Sequence, residues 1–550
     1  MLKFHFLVLF VVIGLFSNAQ QIDTIVISQA EKLIAMQFTA AEKDSMQQEL
    51  ITSRQHYDKM HKVSIPNALP FPFAFEPALA GGRRTVKANQ AEAIKFDKNI
   101  ELPASQDAIA YYSIQQLASL IRAKKISSVA LTQFFLNRLK KWGDTLECVI
   151  TRTDSLAMAQ AKQADEEIQR GIYRGLLHGI PYGLKDLFAV KGYKTTWGSV
   201  PYKDQVIEED AFVYQQLRKA GAVLCAKLTL GELAFSDLWF GGRTRNPWNL
   251  QYGSSGSSAG SAAATVAGLL PFAIGTETLG SIVSPSHTCG ATGLRPTFGS
   301  VSRTGAMVLS WSLDKVGPIC RSAADAAIVF KYIAGTDGRD PSAVERNDFN
   351  FYPRDIAKMK IAVAANYFKS LPKNAPQWAV LDTLKKLGAH LEEVDFPDTV
   401  SYPFNMVDII LSAECAAAFD ELTRSNSDDL IRRQDKNFWP NNFRSSRFIP
   451  AVEYINANRH RFTLMQTVQT FMKSYDVVIS PTYAGNQLAI TNLTGNPVVC
   501  LPIGFSNNGL PTSITFIGNL YDENSILSLA KMYQDATATN KLHPPKFSKN

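Results

Sequence analysis

The sequence predicts an α/β protein, with a main domain over residues 105–545, a helical extension over 20–104 and a short leader over 1–19. Three observations carry that reading. From about Gln106 onward, helix-like stretches alternate with short apolar runs, the pattern of strands interleaved with helices. Hydrophobic residues make up 46% of the 550-residue chain and charged residues 19%, the proportions of a globular protein able to bury a large core. The extension over 20–104 begins with apolar positions at irregular helical spacing among many charges, and the proline-rich PNALPFPFAFEPA (66–78) ends that helical pattern, since an extended chain is favoured there over a helix.

The leader MLKFHFLVLFVVIGLFSNAQ has Lys3 and His5, an apolar run from Phe6 to Phe16, and small residues at Ser17 and Ala19. This is the pattern of a secretory signal peptide cut after Ala19, which places the mature chain in the periplasm or outside the cell. The run is shorter than the about 20 residues a spanning helix needs, and no later segment is long enough to span. No stable membrane insertion is therefore expected once the leader is removed.

In the main domain, SIQQLASLIRAKKISSVALTQFFLNRLKKW predicts two helices, capped by Ser113 and by Ser127 or Ser128. DSLAMAQAKQADEEIQRG, GIPYGLKDLFAV, DAFVYQQLRKAGAVLCAKL, MKIAVAANY and DVVISPT then supply the alternation of helix-like stretches with short apolar runs. No internal repeat is present.

The net charge of +8 is small for this length, and the basic residues are scattered, so no nucleic-acid footprint is read. Six cysteines lie far apart without a C-x-x-C pair, which suggests neither a metal knuckle nor a dense disulfide framework; one or two disulfides stay open in an exported chain. Eight histidines form no H-E-x-x-H pair, and neither a phosphate-binding G-x-x-x-x-G-K-[ST] loop nor a dinucleotide fingerprint occurs. Neither a metal nor an organic cofactor is expected.

YGSSGSSAGSAAA, residues 252–264, has the composition of a flexible linker, but it runs directly into the apolar TVAGLLPFAI rather than separating two self-contained units. Within it Gly256-Ser257-Ser258-Ala259-Gly260 fits G-x-S-x-G, which would make Ser258 the nucleophile of an α/β-hydrolase elbow. That elbow needs a buried strand immediately before it, and the polar RTRNPWNLQY, interrupted by Pro247, is a poor one.

Three segments read together are more informative: GIPYGLKDLFAVKGYKTTWGS (179–199), GSSGSSAGSAAATVAGLLPFAIGTETLGSIVSPS (253–286) and CGATGLRPTFGSVSRTGAMVLSWSLDKVGP (289–318). They resemble the amidase signature family, whose pattern has a lysine in G-I-P-x-x-x-K-D, an S-S-G-G-S run and a G-T-D-T-G-G-S loop. The resemblance implies a large mixed, twisted central sheet flanked by helices. It makes Lys185 the catalytic lysine, Ser257 the bridging serine and Ser281, 24 residues later, the nucleophile. It also implies a cis peptide between Gly256 and Ser257, a supporting place for Ser258, and an oxyanion hole from the backbone N–H groups of Thr278, Leu279, Gly280 and Ser281.

The chemistry follows from those side chains. A serine hydroxyl must lose its proton as it attacks an amide carbonyl. Lysine is then the base, although its ordinary pKa of about 10.4 keeps it protonated at neutral pH, so burial has to favour the neutral amine. The substrate implied is a small-molecule carboxylic amide; which one, and the oligomeric state, are not legible.

The pattern also has departures and rivals. Glu277 and Leu279 stand where the family has aspartate and glycine, Ala259 where it has glycine, and Val283 where it has arginine. Lys227 is a second lysine, read as structural. Asp186, Arg295 and Asp314 are read as ion-pair or capping residues, and His287 with Cys289 as a weak Cys-His candidate. Trp197, Trp239, Phe240 and Trp311 either line an apolar pocket or belong to the core. Three alternatives stay open: a non-catalytic amide- or peptide-binding relative, an α/β-hydrolase-type esterase using Ser258, and the glutaminase subunit of a tRNA-dependent amidotransferase, which an export leader argues against.

Overall fold

The structure is a computed structural model. It describes residues 22–548 except positions 35, 61, 63–65, 70–72, 81–91, 347–348 and 399–405; the leader read at 1–19 lies outside the described residues. The chain divides into a small unit, up to Ile65 with Phe448–Pro450, and a large unit of Pro66–Arg447 with Ala451–Asn550.

The small unit contains α1 (Thr24–Ala30) and α2 (Ala40–Met60). Asp23 caps α1 by accepting the Val26 amide at 2.8 Å, and Lys43 pairs with Glu31 at 2.8 Å.

In the large unit, α3 (Ile114–Arg122) opens with a full capping box between Ser113 and Gln116. α4 (Ser128–Leu146) is capped by Ser127, whose hydroxyl accepts the Ala130 amide at 3.0 Å; Ser128 is its first helical residue and bonds instead to the Gly179 carbonyl. These are followed by β1 (Val149–Arg152), α5 (Asp154–Gln169), β2 (Pro181–Lys185), α6 (Phe212–Lys219) and β3 (Val223–Leu228). A short ribbon of β4 (Leu238–Trp239) and β5 (Gly242–Arg243) precedes α7 (Ala259–Val266), β6 (Ala273–Glu277), α8 (Val283–Cys289), β7 (Thr292–Arg295) and β8 (Lys315–Cys320). The remaining strands are β9 (Ile361–Ala364), β10 (Leu391–Val394), β11 (Val477–Pro481), β12 (Val498–Phe505) and β13 (Pro511–Gly518).

Eleven strands form one mixed sheet in the order β1-β3-β2-β6-β8-β7-β12-β13-β11-β9-β10. β3, β2 and β6 run parallel, the middle of the sheet from β6 to β11 is antiparallel, and β11, β9 and β10 are parallel again. β2 and β3 are buried along their whole length, as strands covered on both faces must be, which is why PYGLK and VLCAKL read as near-continuous runs. Gly183 is needed in β2 because a Cβ there would lie 2.4 Å from the Leu228 side chain and 2.7 Å from that of Leu270.

All six cysteines are buried and unpaired, so the disulfides left open by the sequence do not form. They occupy separate core positions, where the side chain serves as a small hydrophobe. Among the described residues no helix is long and apolar enough to cross a membrane, and no group of three or more His, Cys, Asp or Glu side chains is arranged to hold a metal ion.

Candidate active site

The Ser/Gly stretch is not a tether. Residues 257–267 are buried, and Ala259–Val266 is the helix α7, packed against β6 and β8. Its small residues follow from close approach of backbone: a Cβ on Gly256 would lie 1.8 Å from the Ser236 carbonyl oxygen, and one on Gly260 would lie 2.4 Å from that of Cys148. The Gly256–Ser257 peptide is cis.

Lys185, the last residue of β2, is fully buried and its side chain reaches this helix start. Its Nζ lies 2.8 Å from Ser257 Oγ, 3.2 Å from Ser258 Oγ and 2.8 Å from Thr276 Oγ1. Among the described residues no carboxylate pairs with it. Burial draws the amine down to about 7, against the pull of the Asp314 and Glu277 charges.

Thr276 belongs to β6, and the chain turns immediately after that strand. Glu277 shapes the turn: one carboxylate oxygen accepts the amides of Ile282 and Val283, both at 2.9 Å, and the other accepts from Arg295 at 2.7 Å and Asn492 at 2.9 Å. Burial pushes the Glu277 carboxyl up, but Arg295 and these donors override it and hold it at about 2. Gly280 takes φ 93° in the turn, a conformation costly for any residue with a Cβ. The N–H groups of Thr278, Leu279, Gly280 and Ser281 meet no protein acceptor among the described residues. Ser281 ends the turn, 8% exposed, and its carbonyl accepts the Ser258 amide at 3.1 Å, tying this turn to the start of α7.

Thr278 is held from behind. Its hydroxyl donates to Asp314 at 2.6 Å, and the other Asp314 oxygen accepts the Leu309 and Ser310 amides at 2.9 and 3.0 Å. A small cavity reaches Thr276 and Thr278, with Leu187, Ala234, Met307 and Val316 among its walls. None of Trp197, Trp239, Phe240 and Trp311 lines it; Trp197 and Trp239 are buried, and Trp311 lines a neighbouring groove with Arg303 and Ala306.

The rivals separate cleanly. Ser258 is a staple: its hydroxyl donates to the Thr276 carbonyl at 3.0 Å and accepts the Thr276 amide at 3.1 Å, and no strand leads into it. Lys227 pairs with Asp186 at 2.8 Å and donates to Thr195, all fully buried. Arg295 is the ion-pair partner of Glu277, whereas Asp314 binds a hydroxyl and two amides. His287 meets Ser513 at 2.7 Å and Cys289 meets the Ser254 carbonyl, so they form no Cys-His pair. Thr276 is a site residue that the sequence does not single out; its only signal is its place inside GTETLGS, two residues before Thr278.

A family model described as Amidase matches residues 130–492. The A-subunit of glutamyl-tRNA(Gln) amidotransferase from Methylococcus capsulatus is 33% identical over 473 residues, covering 77% of this chain and 97% of that protein. The protein of the same name from Coxiella burnetii is 31% identical over 481 residues, covering 78% and 99%. Among solved structures, the peptide amidase of Stenotrophomonas maltophilia superposes with a TM-score of 0.72 at 27% identity, over 80% of this chain and 99% of its own. An amidase family protein of Bacillus anthracis shares the fold at a TM-score of 0.71 and 24% identity, over 87% and 99%.

Proposed function

The chain belongs to the amidase signature family, and on that premise we propose that it hydrolyses small carboxylic amides through an acyl-enzyme on Ser281, with Ser257 carrying the proton to Lys185. Ser281 Oγ attacks the carbonyl carbon; its proton passes to Ser257 as the Ser257 proton passes to the neutral Lys185 amine. The carbonyl electron pair moves onto oxygen, where the N–H groups of Thr278, Leu279, Gly280 and Ser281 receive the charge. When the intermediate collapses the C–N bond breaks, and the proton returns from Lys185 through Ser257 to the departing amine. Water repeats the sequence on the ester and releases the carboxylic acid.

The observation that carries this reading is the 2.8 Å approach of Lys185 Nζ to Ser257 Oγ in a fully buried setting, with no carboxylate paired to the amine among the described residues. Treatment with a fluorophosphonate followed by peptide mass spectrometry tests it. The adduct is expected on Ser281 and lost in Ser281→Ala; an unlabelled folded protein would favour a non-catalytic amide-binding relative instead.

We also infer export, from the basic, apolar and small-residue order of the first 19 residues. A mature chain beginning at Gln20, recovered from the envelope or the medium, is the expected result; full-length chain confined to the cytoplasm contradicts it. The names of the amidotransferase relatives favour a second reading, that of a glutamine-hydrolysing component. Amide hydrolysis by the isolated chain, with glutamine no better than other primary amides, separates the two.

A further inference from the structure

We propose that Glu414, on the helix Met406–Ala418, is a positioning residue for the oxyanion turn, acting through the 309–314 loop and Asp314 on Thr278. The inference rests on the acyl-transfer reading above. It starts from a continuous line of buried hydrogen bonds between a helix that the catalytic motifs do not include and the turn that ends at Ser281.

Glu414 is 4% exposed and its carboxylate accepts four bonds, which saturates its two oxygens. One oxygen takes the Ser310 hydroxyl at 2.5 Å and the Ser312 amide at 3.0 Å; the other takes the Ser312 hydroxyl at 2.7 Å and the Tyr454 hydroxyl at 2.8 Å. Ser310 is the link, because its side chain donates to Glu414 while its backbone amide donates to Asp314 at 3.0 Å. Asp314 in turn accepts the Thr278 hydroxyl at 2.6 Å. Arg461 braces the far side of the loop, donating to the Ser312 hydroxyl and carbonyl, both at 2.9 Å, and not to Glu414 itself.

In this account only Thr278, at the end of the line, meets the substrate; Glu414, Ser310 and Asp314 act through it. Its effect comes from geometry: a donor aimed at a developing oxyanion works only at hydrogen-bond distance from where that charge forms, and a misplacement of about 1 Å costs on the order of 100-fold. Three of the four donors on this carboxylate come from Ser310 and Ser312, so its removal loosens both residues together.

The test uses steady-state hydrolysis of one amide together with the affinity of an alkylboronic acid, which takes the Ser281 oxygen into a tetrahedral anion. Glu414→Ala is expected to lower kcat by about tenfold with KM held within about twofold, and to weaken the boronate in parallel. Glu414→Gln is expected to restore most of the loss. Its amide oxygen still accepts the Ser310 hydroxyl and Ser312 N–H, and its NH₂ meets hydroxyls that turn to accept it. Ser310→Ala cuts only the link and is expected to fall between the two. Wild-type kcat and boronate affinity in folded Glu414→Ala overturn the proposal, as does a loss that merely follows the unfolded fraction, or a rise in KM alone. A wild-type protein that binds no boronate at all would instead refute the acyl-enzyme reading.

Discussion

Glu277 binds Arg295 with one carboxylate oxygen, at 2.7 Å, and with the other draws the amides of Ile282 and Val283 inward behind the turn at Thr278–Ser281. A single buried charge therefore both neutralises Arg295 and sets the curvature of the chain that carries Ser281. The longer glutamate in place of the pattern's aspartate does not prevent this, since Arg295 and Asn492 both reach it.

Glu277→Gln leaves the Arg295 guanidinium buried without its counter-charge, a change that typically costs about 3–5 kcal/mol. The sign of the pH dependence follows from the depressed folded pKa. The contribution of Glu277 is fully present above about 4.5 and is lost as pH falls toward about 2. Denaturant unfolding is expected to show a large gap between wild type and variant at pH 7 that narrows steadily on acidification; a gap independent of pH would contradict it.

Lys227 and Asp186 form another fully buried pair, 2.8 Å apart. Lys227→Met strands Asp186 and is expected to destabilise the protein by about 3–5 kcal/mol. The double change Lys227→Met with Asp186→Asn should recover a large part of that loss. Activity per folded molecule of Lys227→Met is expected to stay within about twofold of wild type, whereas Lys185→Met should lose on the order of 100-fold or more.

Gly260 faces the Cys148 carbonyl and the Thr229 amide, so a methyl there would have to displace backbone rather than a flexible side chain. Gly260→Ala is expected to cost about 1–3 kcal/mol and to reduce activity, because Ser257 lies two residues before the start of α7. A thermal melt and a rate measured on the same preparation check both effects; unchanged stability would refute the close-packing account of the Ser/Gly stretch.

Ser258 is held by both backbone groups of Thr276. In Ser258→Ala the fluorophosphonate adduct is expected on Ser281 still, formed more slowly because the staple is gone. Complete loss of labelling in a folded Ser258→Ala protein would point to the nucleophile elbow instead.

The sequence is most legible where causes are local. The caps at Ser113 and Ser127 follow from residues three positions away, and the buried β2 and β3 from their own apolar runs. The meeting of Lys185 with Ser257, 72 residues apart, is legible only through motifs recognised in order. The bond from Thr278 to Asp314 depends on β6 pairing with β8, and the grip of Glu414 on Ser310 spans 104 residues with no local pattern at either end. The aromatic pocket candidates mislead for a related reason: a tryptophan in a loop reads the same whether its ring fills the core or faces a cavity.

The central claim is that a lysine kept neutral by burial draws the Ser281 proton through Ser257, and the pH dependence of the single-turnover acylation rate tests it most directly. The account predicts a rate that rises about tenfold per pH unit below a midpoint near 7 and levels above it, with the limb abolished in Lys185→Ala. A rate flat from about pH 5 to 9, or a midpoint that survives in folded Lys185→Ala, would contradict it.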